Sequence, residues 1–238
     1  MSVLEVVVAI AIVALGSTVQ RTVGFGAAMV AVPLLLLLDP ALVPGSYVVA
    51  NIVLIGMMAT GTGGHADRRG VRLLVVGLLP GTLLAALALS LVPEDLLAVL
   101  AGVVVLGAVA AVALLGDVPR RRPTLLVGGL LSGFMGTSAG VGGPPLALLY
   151  SRAPGDVVRA TLCRVFLVSW VCTLTALTLT GRLGTAEVAR GVAMMPGGLL
   201  GVLAGRRVSA HVRPEQLRVA VLALSATSAV VAIALRLL

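Results

Sequence analysis

The sequence predicts an all-α polytopic membrane protein, and three observations carry that prediction. Its 238 residues are 59% hydrophobic and only 11% charged, which is more apolar surface than one soluble core could hide. Apolar runs of spanning length recur from one end of the chain to the other, separated by short polar or arginine-bearing stretches. Aromatics make up 3% and glycines number 29, so the runs are built from Ala, Val, Leu and Gly, which suits helices whose backbones approach closely through small residues. A transmembrane barrel would instead alternate apolar and polar residues in segments of about ten and carry aromatic girdles.

The first run, "MSVLEVVVAIAIVALGSTVQ", has no basic leader and no small-residue cleavage site followed by a polar sequence, so it reads as a retained first helix. It continues into "QRTVGFGAAMVAVPLLLLL", where two close glycines interrupt it, giving a glycine-broken element over residues 3–38. Three apolar helices follow, at 43–60, 71–91 and 95–115. A second glycine-broken element covers 124–150, with helices at 157–180, 187–204 and 215–236 after it. Spanning takes about 20 helical residues, so 27–38 and 144–150 are too short to cross alone. They are expected to be half-helices that stop or turn inside the membrane.

The chain reads as a duplication. "LLPGTLLAALA" (78–88) followed by "VPEDLLAVLAGVVVLGAVAAVAL" (92–114) is answered by "MMPGGLLGVLA" (194–204) followed by "RPEQLRVAVLALSATSAVVAIAL" (213–235). "GFGAAMVAVPLL" (24–35) holds the place in its half that "GVGGPPLALLY" (140–150) holds in the other. The predicted organisation is a first transmembrane repeat at 1–116, a basic cytoplasmic linker at 117–123 and a second repeat at 124–238.

Charge placement bears on whether the repeats are inverted. The net charge of +8 comes from 17 basic residues, every one an arginine, and their places in short loops read as topology signals rather than nucleic-acid contacts. If each broken element returns to its starting side, the halves have opposite orientation. The cytoplasmic loops then hold Arg68, Arg69, Arg72, Arg120, Arg121, Arg122, Arg152, Arg159, Arg206, Arg207 and Arg213, and the outer side keeps Arg182, Arg190 and Arg236 with Asp39, Glu94 and Asp95. If each element crosses once, five of those arginines fall outside. The inverted arrangement separates charge better and is the one expected.

An enzyme would need convergent nucleophiles, bases or metal ligands. His65 and His211 sit in basic loops, all nine acidic residues map to helix ends or loops, and Cys163 and Cys172 lack a C-x-x-C spacing. No cofactor or metal is expected. The polar groups at membrane depth cluster at the two breaks: Gln20, Arg21 and Thr22 before the first, Thr137 and Ser138 before the second. A helix break in lipid is tolerated only where protein, water or a ligand satisfies the freed backbone groups. Half-helices starting near Ala27 and Pro144 would aim positive dipole ends at the bilayer middle, which favours an anion, and Pro144-Pro145 suits a helix start. Gly24, Gly26, Gly140, Gly142 and Gly143 would expose backbone amides or serve close helix packing. Arg21 and Arg164 are candidates for supplying charge, with snorkelling toward an interface as the other reading of each.

These same segments, "QRTVGFGAAMVAVPLLLLLDP", "HADRRG" and "GFMGTSAGVGGPPLALLYSRAPGDVVRATLCRVFL", resemble the TauE/SafE sulfite-exporter family of membrane permeases. The most specific pieces are Gln20, Gly24, Phe25 and Gly26 with Pro33 downstream, and Gly143, Pro144, Pro145, Tyr150, Arg159 and Ala160. The resemblance implies a secondary transporter of small, mostly sulfur-containing anions in the bacterial inner membrane, driven by an ion gradient. The site expected from residues and resemblance together is Gln20, Arg21, Thr22, Gly24, Phe25, Gly26, Thr137, Ser138, Gly140, Gly142, Gly143, Pro144 and Arg164. Its partners are a small anion and the bilayer, with a proton as candidate coupling ion, no nucleic acid, and room for an oligomer. No titratable residue marks the membrane centre, so a coupling proton would have to ride on the anion. An anion channel or a structural membrane subunit are the rival readings.

Overall fold

A computed structural model describes residues 1–23, 25–60, 65–208 and 214–237. Its regular structure is all helical among those residues. In order come α1 (Val3–Val23), α2 (Ala27–Leu38), a 3-10 turn (Pro40–Leu42), α3 (Gly45–Ala50), α4 (Ile52–Thr60), α5 (Arg68–Leu91) and α6 (Glu94–Leu114). After them lie α7 (Arg122–Ala139), α8 (Gly143–Leu149), α9 (Gly155–Leu179), α10 (Thr185–Val208) and α11 (Pro214–Leu237). Among the described residues α1, α5, α6, α9 and α10 are long and apolar enough to cross a membrane, and 27–38, 45–58 and 220–235 are shorter apolar helical stretches.

Local chemistry explains the helix ends. Asp67 caps α5 by accepting the Gly70 N–H at 2.8 Å. At the two breaks the backbone enters the left-handed region, φ 103° at Gly26 and 76° at Gly140, where a side chain is strained and glycine is not. One expectation needs correction. The helix predicted over 43–60 is two short helices with a turn at Asn51 between them. Asparagine offers the backbone alternative hydrogen bonds and is a poor helix-interior residue, and nearby the Val48 carbonyl accepts the Trp170 indole N–H at 2.9 Å instead of serving only its own helix.

After each break the short helix doubles back on the long one. A Cβ at Gly16 of α1 would meet the Ala27 carbonyl at 2.6 Å and the Ala31 Cβ at 3.2 Å. On the other side Ser132 donates to the Gly142 carbonyl at 2.7 Å, and a Cβ at Gly128 would run into Leu149. These short helices form the centre of the molecule. In α2 Ala27, Met29–Pro33, Leu35 and Leu36 are buried, and Met29–Val32, Leu35 and Leu36 share one core with residues of α6, α10 and α11. Leu146, Leu149 and Tyr150 of the α8 segment form a second core with Leu74 and Leu78 of α5 and Leu162 and Val165 of α9. The long helices turn large apolar side chains outward, Leu83 70%, Leu91 73% and Leu114 82% exposed, as lipid-facing surfaces do.

The frame rests on two helix crossings made possible by glycine. Added methyls at Gly77 and Gly81 of α5 would overlap the Leu126 and Leu130 carbonyls of α7, and at Gly129 and Gly133 they would overlap those of Leu74 and Leu78. In the matching contact, methyls at Gly197 and Gly201 of α10 would overlap the Ile10 and Ala14 carbonyls of α1, and one at Gly205 would meet the Arg21 Cβ at 2.6 Å. In both crossings residue numbers rise together, so the helices run parallel. Each time the first helix of one half lies on the penultimate helix of the other. Thr18 adds a hydroxyl bond to the Gly201 carbonyl at 3.1 Å.

Overpacking a tight core typically costs about 1–3 kcal/mol. Gly81→Val and Gly201→Val are therefore expected to reduce the yield of monodisperse protein in detergent and lower its melting temperature. Gly107→Ala, with nothing within 4 Å of the new methyl, should leave both unchanged.

Candidate functional site

The two breaks meet around a cavity of about 70 Å³. A single water needs roughly 10–15 Å³ on this measure, so the space takes a few waters or one small polyatomic ion. From the first half the wall draws on Gln20 at the end of α1, Gly26, the first turn of α2 and the α3–α4 turn. From the second it draws on Gly136, the Gly140–Pro144 segment and one face of α9. That face is Phe166, Ser169, Trp170 and Thr173, which follows the spacing by which helical residues three and four apart line up.

Gln20 organises the first side. Its Oε1 accepts the Ala27 N–H, an amide of α2's first turn, at 3.2 Å, while its Nε2 points to the Met58 Sδ at 3.2 Å. First-turn amides have no partner inside their own helix, so Gln20 replaces the acceptor that the break removes. On the second side, Ser132 pins Gly142, and Thr137 and Thr173 share a buried hydroxyl–hydroxyl bond at 3.0 Å. Trp170 is tied to Val48 as described. Asn51 and Ser169 have no side-chain hydrogen-bond partner among the described residues.

Six of the expected residues stand in the wall: Gln20, Gly26, Gly140, Gly142, Gly143 and Pro144. Phe25 lies beside them, its Cβ 3.9 Å from where a Gly143 Cβ would stand, and Thr137 lies behind Thr173. The others lie elsewhere. Thr22 bonds the Thr18 carbonyl and Ser138 the Phe134 carbonyl of their own helices. Gly24 falls outside the described residues. Arg21, one helical position on from Gln20, is exposed in the last turn of α1 against Gly205 of α10. Arg164 is exposed on α9, two residues before Phe166 and so on roughly the opposite face. Neither arginine that was expected to face the anion lines the cavity.

Sequence reading missed Asn51, Ser169, Trp170 and Thr173. Asn51 did carry a signal, being the only asparagine of the chain and set within an apolar run. The α9 residues carried little, since that helix also holds Thr161, Thr175 and Thr178.

One end of the molecule carries a second polar cluster. The Tyr150 hydroxyl donates to Asp67 Oδ2 at 2.9 Å, the Asp67 N–H donates to Thr161 Oγ1 at 3.0 Å, and the Arg120 guanidinium lies 5.3 Å from the centre of the Tyr150 ring. Arg152 pairs with Asp117, both well exposed. These contacts bring the arginines of α5, of the 116–123 junction and of the α8–α9 connection to one end. At the other end Arg182 donates to the Leu89 and Val92 carbonyls at 3.0 and 3.2 Å, and Arg190 pairs with Glu187.

Comparison with known proteins identifies the family. Residues 8–232 match the family described as Sulfite exporter TauE/SafE. The chain belongs to that family. A relative from Cupriavidus necator named "Probable sulfite/organosulfonate exporter TauE" is 27% identical over 219 residues, which is 87% of this chain and 86% of the relative. No solved structure matches. As a TauE/SafE protein with several apolar helices, the chain is a multi-pass protein of the bacterial cell membrane.

Removing the Gln20 acceptor leaves the Ala27 amide without its partner, a loss of about 1–3 kcal/mol for a buried group. Gln20→Leu is therefore expected to lower the melting temperature in detergent by several degrees, and Gln20→Glu, which keeps an acceptor, by less. Equal melting temperatures for wild type and Gln20→Leu would remove Gln20 from this capping role.

Proposed function

We propose that this TauE/SafE protein is a secondary transporter of small sulfur-containing anions, sulfite and organosulfonates among them, and that it holds its cargo in the cavity between the two breaks. The observation that carries the reading is that cavity: in a protein otherwise apolar to its lipid face, both breaks turn neutral polar groups and glycine backbone onto one shared space. The name of the Cupriavidus relative supports the substrate class, and among the described residues the cavity wall holds no His, Cys, Asp, Glu or Lys.

The anion is bound by neutral donors. Asn51 and Ser169 offer side-chain N–H and O–H groups without protein partners, and the Gly142–Gly143 backbone and the first turn of α2 add amides. Hydrogen bonds to a charged group are each worth about 1.5–3 kcal/mol, so a few of them offset much of the several kcal/mol that dehydrating one ion costs. Arg21 acts at a distance, as part of the positive end that it shares with Arg206 and Arg207.

The packing supports alternating access. The reading takes 1–116 and 124–238 as inverted repeats joined by a basic cytoplasmic linker, with each broken element re-entrant. The return of α2 along α1 and of α8 along α7 supports the re-entrant form, and the reciprocal crossings of α1 on α10 and α7 on α5 support the exchange between repeats. The arginine-rich end faces the cytoplasm. Rocking of one crossed pair against the other would open the cavity to one side and then the other, with the Asp67–Tyr150 cluster breaking when the cytoplasmic side opens.

Purified protein in liposomes is expected to move sulfite and a small sulfonate with saturating kinetics, each anion competing with the other. Non-saturating conductance would make it a channel, and no flux would remove the transport reading. Loss of one charge-assisted hydrogen bond predicts that Asn51→Leu lowers the rate at low substrate by about tenfold or more, while Arg21→Ala keeps most of it. The reverse ranking would return the arginine to the binding site.

A further inference from the structure

We propose that the cavity accepts only singly charged anions, with Asn51 as their principal donor, so that sulfite crosses as hydrogen sulfite and carries its own proton. This rests on the transport reading above. Two observations support it: among the described residues the wall holds no charged side chain, and its strongest uncommitted hydrogen-bonding group is an uncharged amide.

The elements that form the wall do carry titratable or cationic groups. These are Glu5 and Arg21 on α1, Tyr47 on α3, Arg122 on α7, and Asp156, Arg159, Cys163, Arg164 and Cys172 on α9. None of them lines the cavity, and among the described residues α2, α4 and α8 carry none. The Tyr47 ring lies against Gly140. The work of moving an ion out of water rises with the square of its charge, so a dianion needs about four times the compensation of a monoanion. Fixed neutral dipoles can meet the smaller demand. With only Asn51 and Ser169 open among the wall's described polar side chains, the larger one goes unmet.

Among the polar side chains of the wall, Gln20 is committed to Ala27 and Met58, Thr173 to Thr137, and Trp170 to Val48. Asn51 is left with two N–H donors and a carbonyl, and Ser169 with one hydroxyl. An amide can donate to sulfur-bound oxygens and also accept from a protonated one, which a lysine or arginine cannot do. Hydrogen sulfite therefore fits the cavity without either partner becoming more highly charged. It binds whole on one face and leaves whole on the other, where it gives its proton to water if the solution is alkaline. Each turnover then moves one proton with one sulfite, and no bond to the protein forms or breaks. An alkanesulfonate, a monoanion with no proton to lose, uses the same cavity and moves none.

The test uses purified full-length protein in liposomes with a lumenal pH dye, supplied in turn with sulfite and with methanesulfonate across neutral to alkaline pH. Sulfite uptake at low concentration is expected to fall about tenfold for each pH unit above the ionisation of hydrogen sulfite, with one proton delivered per sulfite. Methanesulfonate uptake should stay flat and deliver none. Asn51→Asp, nearly the same shape with a negative charge added, is expected to lose at least tenfold in both fluxes at an unchanged melting temperature. Sulfite uptake that holds or rises as the dianion accumulates overturns the inference while leaving the transport reading standing. A parallel fall for both anions overturns it too, because the protein would then be the group that titrates. Full activity in Asn51→Asp removes Asn51 from the site. No flux of either anion removes the transport reading and the inference with it.

Discussion

A helix interrupted inside a membrane protein leaves backbone N–H and C=O groups that lipid cannot satisfy, and the arrangement of this molecule follows from meeting that demand twice. At the first break Gln20 supplies the missing acceptor to Ala27. At the second Ser132 takes up the Gly142 carbonyl. Satisfying these groups within the protein requires the breaks to be buried, so the short helices that follow them occupy the centre and the long helices surround them. Asn51 and Ser169, whose side chains have no hydrogen-bond partner among the described residues, face the space where the two breaks meet.

Burying short helices requires neighbours that come close. The α5–α7 and α1–α10 crossings let backbone approach backbone because glycine stands where any Cβ would overlap a carbonyl, and such contact by small residues takes the place of the hydrophobic drive that lipid does not provide. Each crossing joins one half of the chain to the other, so neither half encloses the cavity by itself. The two similarly built pairs flank a small polar space, which connects the glycine pattern to the proposed transport cycle.

Much of this was legible in the sequence. The breaks at 24–26 and 140–143 announced themselves through glycine and proline in apolar surroundings, and the matched Pro80-Gly81 and Pro196-Gly197 mark α5 and α10, the penultimate helices of the two halves. Half of the cavity was not legible. Asn51 lies in a run with no periodic polar signal, and the turn it occupies depends on contacts with α9 that sequence does not reveal. Ser169, Trp170 and Thr173 become a polar face only once α9 is placed beside α3 and α4. Arg21 drew attention by its charge, yet the step of one residue along α1 that puts Gln20 on the cavity turns Arg21 toward Gly205. Local sequence proximity to a site and membership of its wall are different properties on a helix.

The central claim is that an anion sits between the two breaks, held by neutral groups with no arginine touching it. Selenite, a heavier analogue of sulfite, makes this directly visible, because selenium scatters anomalously. In crystals of the protein grown or soaked with selenite, the account predicts a single anomalous peak in the cavity, within hydrogen-bond distance of the Asn51 side chain and the Gly142–Gly143 backbone. A peak beside Arg21, Arg206 and Arg207, with the cavity empty, would contradict it.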